Sequence, residues 1–426
     1  DSISLDLPLS GDFTNLVSSN GADPTAATVD NLAQANITDV APDKKLAHIL
    51  DFAVNWRASD IQIRAADTCY KLVYRIDGVL RPGSKFEPQV GKELVDHLKN
   101  MASLDVAERR RAQNGNLSRN IHGRNFEVRI ATQPTYAGEQ LNVHLLDRSM
   151  VVGNLESLGM RDQLRQAVQR KLSQRQGLFI VGAPPGSGTT TTLCSSVLDL
   201  DAFARSIITI EDPVEYRLEN VTQVNVAQGD SFSDVVRSVL RQDPDVLMLG
   251  EIDDVATAEI ACEAANKGLL VLAGVQANNA VMALYRLIEL GVDGKIVANA
   301  GTAALSQRLV RRLCEHCRVR TTPDKETIRR YSLSDTHLQN AAFYAPPEKP
   351  DQRCKYCGGI GFRGRTGVFQ ILDVTQPIRE LLHENAPVEK IRAAGRAQGT
   401  RSLASEGIRM VLQGKTTFAE IERVIR

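Results

Sequence analysis

Residues 177–196, "GLFIVGAPPGSGTTTTLCSS", constrain the fold more tightly than any other part of the chain. The opening run is apolar throughout and too short for a globular helix, so it reads as a strand buried on both faces. A glycine- and proline-rich loop follows, and then a threonine-rich helix start. Strand, glycine-rich loop and helix together form an anion cradle, because successive backbone N–H groups and the helix N-terminus point into one space. A strand delivered into a helix in this way belongs to a parallel sheet with crossover connections. The sequence continues accordingly. Apolar strands are read at "RSIITIED", "DVLMLGE" and "LLVLAGVQ", separated by helical stretches at "FSDVVRSVLRQ" and "VATAEIACEAANKG". The fold class is therefore α/β with a parallel-rich sheet, and a ligand is expected at the carboxyl ends of its strands.

Composition narrows the partners. Lysine plus arginine and aspartate plus glutamate both number 51, so the net charge is zero. That argues against bulk nucleic-acid binding driven by phosphate neutralisation and leaves room for a local basic patch. No run approaches the ~18 apolar residues of a membrane span, and no secretory signal opens the chain. Its first residue is Asp1, which reads as a trimmed start. The seven cysteines are an odd number containing two C-x-x-C pairs, which fits a reducing, cytoplasmic setting better than a disulfide framework. Cys314, Cys317, Cys354 and Cys357 have the spacing of a closed tetrahedral structural zinc site. Four reduced thiols without metal are the alternative. His316, between two of them, reads as solvent-facing. Cys69, Cys194 and Cys262 read as packed core residues.

Along the chain, residues 1–44 read as a flexible lead-in, rich in Ser, Asp, Asn, Ala and Thr. Residues 45–148 read as a compact N-terminal α/β domain: helix "DKKLAHILDFAVNW", strands at "ASDIQI" and "CYKLVYRIDGVL" with a turn at Asp77–Gly78, helix "VGKELVDHLKNMASLDVA", and strands "RNFEVRIATQPT" and "EQLNVHLLD". A hinge is expected over 149–157. The remainder, 158–426, reads as one larger domain opened by helix "RDQLRQAVQRKLSQ". It would contain the tetracysteine subdomain (311–362), in which "TPDKETIRRYSLSD" can form its own helix, and C-terminal helices over 375–426, with a threonine cap in "GKTTFAEIERVI".

The order of motifs resembles that of the type II secretion and type IV pilus assembly ATPases. "ASDIQI", "RIDGVL", "LDVAERR", "QNG", "ITIEDPVEY", "LRQDPDVLMLGEI", "RLVRRLCEHC", "GFRGRTGVF" and "GKTTFAEI" carry the likeness, over nearly everything after residue 45. The resemblance implies a PAS-like N-terminal domain and a RecA-like P-loop ATPase domain with a zinc subdomain. It further implies hexameric rings, inner-membrane platform proteins as partners, no specific nucleic acid, and a cytoplasmic location at the inner membrane face. The phosphate loop would use Gly186, Ser187, Gly188, Thr189, Thr190 and Thr191, aided by Arg241 and, from the N-terminal domain, Arg109 and Arg110. Glu251 and Glu211 would be catalytic if the site is active. Glu215, Asp212 and Arg237 complete the retained set.

The departures cluster on cations. A working loop reads G-x-x-x-x-G-K-[ST]. Here Ala183 replaces its first glycine and Thr189 its lysine, while Thr190 keeps the metal-side hydroxyl. Asp253 stands for an arginine, Gln276 and Leu269 for histidines, Ala277 for a threonine, Asn279 for an aspartate, Val73 for an arginine, and His144 for another. Arg75 remains. Losing one partner of a desolvated charge pair costs about 2–5 kcal/mol, roughly thirty- to several-thousand-fold in affinity. The transition state should lose at least as much. Arg109, Arg110, Arg237, Arg241 or Lys267 would have to compensate. Alternatively, the retained acids serve only as caps and ion pairs. Three functions follow. One is a pseudo-ATPase that scaffolds or regulates, as a homo-oligomer or with an active paralogue, with ATP and Mg bound weakly or not at all. The second is an active hexameric motor with an unusual site. The third is a sensor of another nucleotide or signalling molecule.

Overall fold

A computed structural model describes residues 42–148, 152–227, 229–348 and 354–425. The lead-in up to residue 41 and the first part of the expected hinge, 149–151, lie outside them. The chain divides into two compact units. The first combines the chain up to 146 with 311–364 and 408–421; the second comprises 147–310, 365–407 and 422–426.

In the first unit, α1 (Pro42–Asn55) and α2 (Pro88–Met101) accompany a six-stranded sheet in the order β3-β2-β1-β6-β5-β4. The strands are β1 (Ala58–Ala65), β2 (Tyr70–Ile76), β3 (Val79–Phe86), β4 (Gln113–Ile121), β5 (Arg124–Thr135) and β6 (Gly138–Asp147). Alternation sets the buried face: Ile61 and Ile63, Leu72 and Tyr74, and Leu141 and Val143 all enter one apolar core with Leu46, Ile49 and Leu94 of the helices. Asp77 and Gly78 have φ of 49° and 82°, the left-handed pair required by a two-residue hairpin. The second helix stops at Met101, short of the "LDVA" that its sequence pattern includes. Strand β4 carries mostly polar residues and has no apolar alternation to announce it.

The second unit opens on α3 (Asp162–Leu172) and alternates thereafter: β7 (Gly177–Gly182), α4 (Thr189–Leu198), β8 (Ile207–Glu211), β9 (Thr222–Asn225), α5 (Phe232–Leu240), β10 (Val246–Leu249), α6 (Val255–Asn266), β11 (Leu270–Val275), α7 (Ala280–Leu290), α8 (Gly294–Ala300) and β12 (Gly301–Leu313). The tetracysteine stretch carries β13 (Val319–Thr321), α9 (Lys325–Arg330), α10 (Asp335–Asn340) and β14 (Phe343–Ala345). It is followed by β15 (Phe362–Asp373), α11 (Gln376–His383), α12 (Val388–Ala397), α13 (Leu403–Leu412) and α14 (Phe418–Val424). The seven-stranded sheet runs β15-β12-β7-β11-β10-β8-β9, with parallel pairing from β12 through to β9. Two cores lie in this unit. One joins α5 to α8 with Ile180, Leu249 and Ala273; the other joins α3 and α4 with Phe179, Val181 and Met248. Val152 and Leu155 are buried in the second of these.

The tetracysteine stretch belongs to the first unit because Leu313, Ile360 and Phe362 enter the core of the six-stranded sheet. A buried ion pair fixes its base. Arg311 donates from Nε and a terminal nitrogen to Glu420 at 3.0 and 2.8 Å, and the Arg311 backbone N–H donates to the same carboxylate at 2.9 Å. Thr417 caps the helix carrying Glu420. Glu420→Ala should therefore destabilise the protein by about 3–5 kcal/mol in denaturant titration, because it strands a buried guanidinium. Replacing both partners with leucine and methionine should recover most of that loss.

Candidate functional site: a phosphate-loop crevice and a tetracysteine centre

The crevice is formed at the carboxyl ends of β7, β8, β10 and β11. The ladder between β7 and β11 runs on past both strands: Ala183 N–H donates to Val275 O at 3.1 Å and Ala277 N–H to Ala183 O at 3.4 Å. The chain then turns through Pro184 and Pro185 into the loop. Gly186 and Gly188 adopt left-handed φ of 73° and 85°, and α4 starts at Thr189 with Gly188 as its N-cap. A β-carbon at Gly274 would meet Gly250 O at 2.2 Å and Thr189 Cγ2 at 3.0 Å, so the Thr189 methyl lies against the end of β11, beside the chain leaving β10.

Side chains brace the loop from outside. Thr192 donates to Gln307 Oε1 at 2.7 Å, and Gln307 Nε2 donates to Ser187 O at 2.8 Å, tying the loop to β12. The Thr191 and Tyr216 hydroxyls are 3.3 Å apart. Thr190 is half-buried in the same first turn. Glu211 is buried; Thr209 and Gln223 donate to its Oε1 at 2.7 and 3.1 Å, while its Oε2 has no hydrogen-bond partner among the described residues. Burial, reinforced by Glu211 and Glu215, pushes the Cys194 thiol on α4 far above its ordinary range. Glu251 and Asp253 are exposed after β10. Gln307 and Gln223 carry no signal in the sequence, because each acts through a fold-dependent contact, whereas Tyr216 closes the motif "ITIEDPVEY".

The candidate cations are placed as follows. Arg241 is exposed at the C-cap of α5, and Arg237 pairs with Asp234 at 3.0 Å. Lys267 is exposed and pairs with Glu263 on its own helix. In the first unit Arg109 donates to both oxygens of Asp96 at 2.8 Å. Its loop is held by the buried Lys99, which donates to Glu108 O at 2.7 Å and Glu139 Oε1 at 3.0 Å. Arg110 is exposed. Sequence reasoning missed Arg308, a buried cation on β12. It donates to Asn278 O at 2.9 Å and to Gln307 O at 3.0 Å, and burial lowers its pKa.

Comparison with known proteins decides the family. The model of the "Type II/IV secretion system protein" family matches residues 37–423. The chain belongs to this family. It is 37% identical over 380 residues to the type II secretion system protein HxcR of Pseudomonas aeruginosa, covering 89% of this chain and 76% of that protein. It is 38% identical over 383 residues to the protein transport protein HofB homolog of Escherichia coli, covering 89% and 80%. The type IV pilus assembly ATPase PilB of Thermus thermophilus is 35% identical, covering 90% of this chain and 43% of that protein. The fold is also that of the Legionella pneumophila ATPase DotB, with a TM-score of 0.65 at 16% identity over 92% of this chain and 97% of that one. The pilus retraction motor PilT gives a TM-score of 0.56 at 20% identity, over 89% and 96%. The α/β fold with a parallel-rich sheet is thus shared with both. Among the described residues, no helix is long and apolar enough to cross a membrane.

The second centre lies in the first unit. The four sulfurs of Cys314, Cys317, Cys354 and Cys357 lie within 4.8 Å of one another. Cys314 and Cys354 Sγ are 3.9 Å apart, and Cys317 and Cys357 Sγ 3.5 Å. Tetrahedral Zn–S bonds of about 2.3 Å require sulfur separations of about 3.8 Å, so the set fits zinc. Burial pushes Cys357 up to about 11, although the Gly361 N–H donates to its sulfur at 3.3 Å. At Cys354, burial is outweighed by the backbone amides of Cys357 and Tyr356, which hold that thiol below its ordinary range. His316 is exposed and stacks on Tyr356 with centroids 3.4 Å apart. Cys194 and Cys262 are packed as expected, whereas Cys69 is half-exposed in the β1–β2 turn, where its carbonyl accepts from Ala66 N–H.

Metal-free protein should take up zinc and gain stability on doing so. Cys354→Ala should abolish uptake and lower the denaturation midpoint, read by metal analysis and circular dichroism.

Proposed function

We propose that this chain is a secretion or pilus-assembly ATPase homologue in which hydrolysis is impaired or absent. It would act as a scaffold or regulator within a type II secretion or type IV pilus machine. The observation that carries the reading is Thr189. It begins the helix at which the family's lysine would neutralise a terminal phosphate, and it supplies a hydroxyl but no charge. The acids Glu211, Glu215 and Glu251 remain around the strand ends, so a triphosphate would meet negative charge with little to offset it. The other expected cations do not replace the lysine by an evident route. Arg109 is already engaged by Asp96, and Lys267 by Glu263. Under this reading ATP and Mg bind weakly or not at all, and zinc is structural. The protein would assemble as a homo-oligomer, in the hexameric manner of such motors, or with an active paralogue, and would meet inner-membrane platform proteins from the cytoplasmic side.

A second reading, an active motor, is favoured by the loop itself. Gly186 and Gly188 keep the conformation that directs amides at a phosphate, and Thr190 is retained in the first helical turn. In that case Glu251 and Glu211 would be catalytic, and Gly186, Ser187, Gly188, Thr190, Thr191, Arg110 and Arg241 would serve the nucleotide.

Titration calorimetry with Mg-ADP and Mg-ATP separates the two. Under the first reading the wild-type protein binds no tighter than about millimolar and releases no phosphate, and Thr189→Lys gains roughly thirty-fold or more in affinity. Micromolar binding with steady phosphate release by the wild-type protein would sink that reading and establish a motor.

A further inference from the structure

The tetracysteine centre is surrounded by positive charge that neither the crevice nor the zinc chemistry uses. Three segments converge there. Leu313 N–H donates to Lys415 O at 2.9 Å, Arg318 donates to Gly414 O at 2.8 Å, and Cys314 N–H donates to Gly361 O at 2.9 Å. Residues 311–320, 354–364 and 409–416 hold eight lysines and arginines against one acid, Glu315. Arg311 is consumed by Glu420, and Arg312 meets Glu315 at 3.3 Å in an exposed pair. Four thiolates around a divalent ion would contribute a further two negative charges, but these are largely buried. An excess of positive charge remains on the surface: Arg320, Lys355, Arg363 and Lys415 are exposed. Burial and the charges of Arg409 and Arg312 lower the pKa of Lys415. Apolar surface lies among them, with Tyr356 50% and Val319 43% exposed.

The same chain carries a segment of complementary chemistry. Residues 1–41 contain six aspartates and no lysine, arginine or glutamate, and Ile3, Leu5, Leu7 and Leu9 alternate with polar or small residues at their start. They precede α1, whose Leu46 and Ile49 share one core with Leu313 and Phe362. A chain of that length spans roughly 35 Å as a coil and at most roughly 140 Å extended, ample to reach another face of the same unit. We propose that the acidic segment 1–41 docks in cis on the basic, aromatic-bearing face of the tetracysteine centre, its aspartates meeting Arg320, Lys355, Arg363 and Lys415 and its apolar residues meeting Tyr356 and Val319. This holds whether or not the crevice hydrolyses nucleotide.

Carbodiimide coupling on the full-length chain tests it, since the reagent joins only carboxylates and amines already in contact. Light and heavy-isotope chains are mixed, and products are mapped by mass spectrometry. Expected are amides from Asp6, Asp12, Asp23, Asp30 or Asp39 to Lys355 or Lys415 within single chains. Their yield should fall about fivefold or more in about 0.5 M salt, and likewise in Arg320→Gln/Arg363→Gln, a variant that alters only exposed side chains. Hydrogen exchange in 409–416 and 354–363 should quicken when the five aspartates become asparagine. Links that join heavy to light chains would overturn the proposal in favour of a second copy. Absent links, with exchange slowed instead by phosphatidylglycerol vesicles, would overturn it in favour of a membrane surface. Absent links with no vesicle effect would overturn it outright.

Discussion

The backbone ladder between β7 and β11, carried past the strand ends by Ala183, is the constraint on which the crevice depends. It fixes where the chain leaves the sheet, and hence where α4 begins. The parallel neighbours press close at that level. Gly274 faces Gly250 O with no room for a β-carbon, and Gly182 faces Ala283 in the same way. A larger residue at Gly274 would push β11 from the chain leaving β10, and one at Gly182 would push β7 from Ala283 of α7, so the floor of the crevice tolerates little drift. Every element of the site, from Glu211 at the end of β8 to Gln276 after β11, takes its position from that floor.

This explains why the departures from the family pattern divide into two kinds. Ala183 stands for a glycine, but its φ is ordinary, so the β-carbon brings no strain; the glycines kept, Gly186 and Gly188, are those with left-handed φ. Asn279 stands for an aspartate and still caps α7 by accepting from Met282 N–H at 3.0 Å. His144 stands for an arginine and still meets Asp60 at 3.2 Å, beside Arg75. These substitutions preserve a structural contact. Thr189, Asp253 and Gln276 are different: the resemblance implies a charge or an ionisable ring there, and among the described residues no contact at these three positions supplies one.

Local pattern made much of the fold legible. The apolar runs of β7, β8, β10 and β11 and the left-handed turn at Asp77–Gly78 announce themselves within a few residues. What stayed hidden is non-local. Strand β4 is polar along most of its length and exists because it pairs residue for residue with β5. The tetracysteine stretch joins the first unit through Leu313, Ile360 and Phe362, far from α1 in sequence. Gln307 looks like any polar strand residue until its amide is seen to bridge Thr192 and Ser187. At the candidate site the sequence identified residue types and order, whereas the bracing side chains required coordinates.

The bracing also bears on how such a chain can lose a lysine and keep its shape. The loop is held by Val275 and Ala277 through backbone, by Gln307 through its amide, and by glycine conformation, and none of these contacts involves residue 189. A lysine there would reach into the crevice and contribute to ligand binding rather than to the seat of the loop. Removing it lightens the helix start by one charge without leaving a buried group unpaired, so folding and assembly surfaces need not change. Glu211 shows the opposite case. Its Oε1 is anchored by Thr209 and Gln223, so removing that carboxylate would strand two donors, one of them buried, and disturb the end of β8. Structural cost therefore distinguishes Glu211, whose removal would disturb the end of β8, from residue 189, whose side chain takes part in none of the hydrogen bonds that hold the loop.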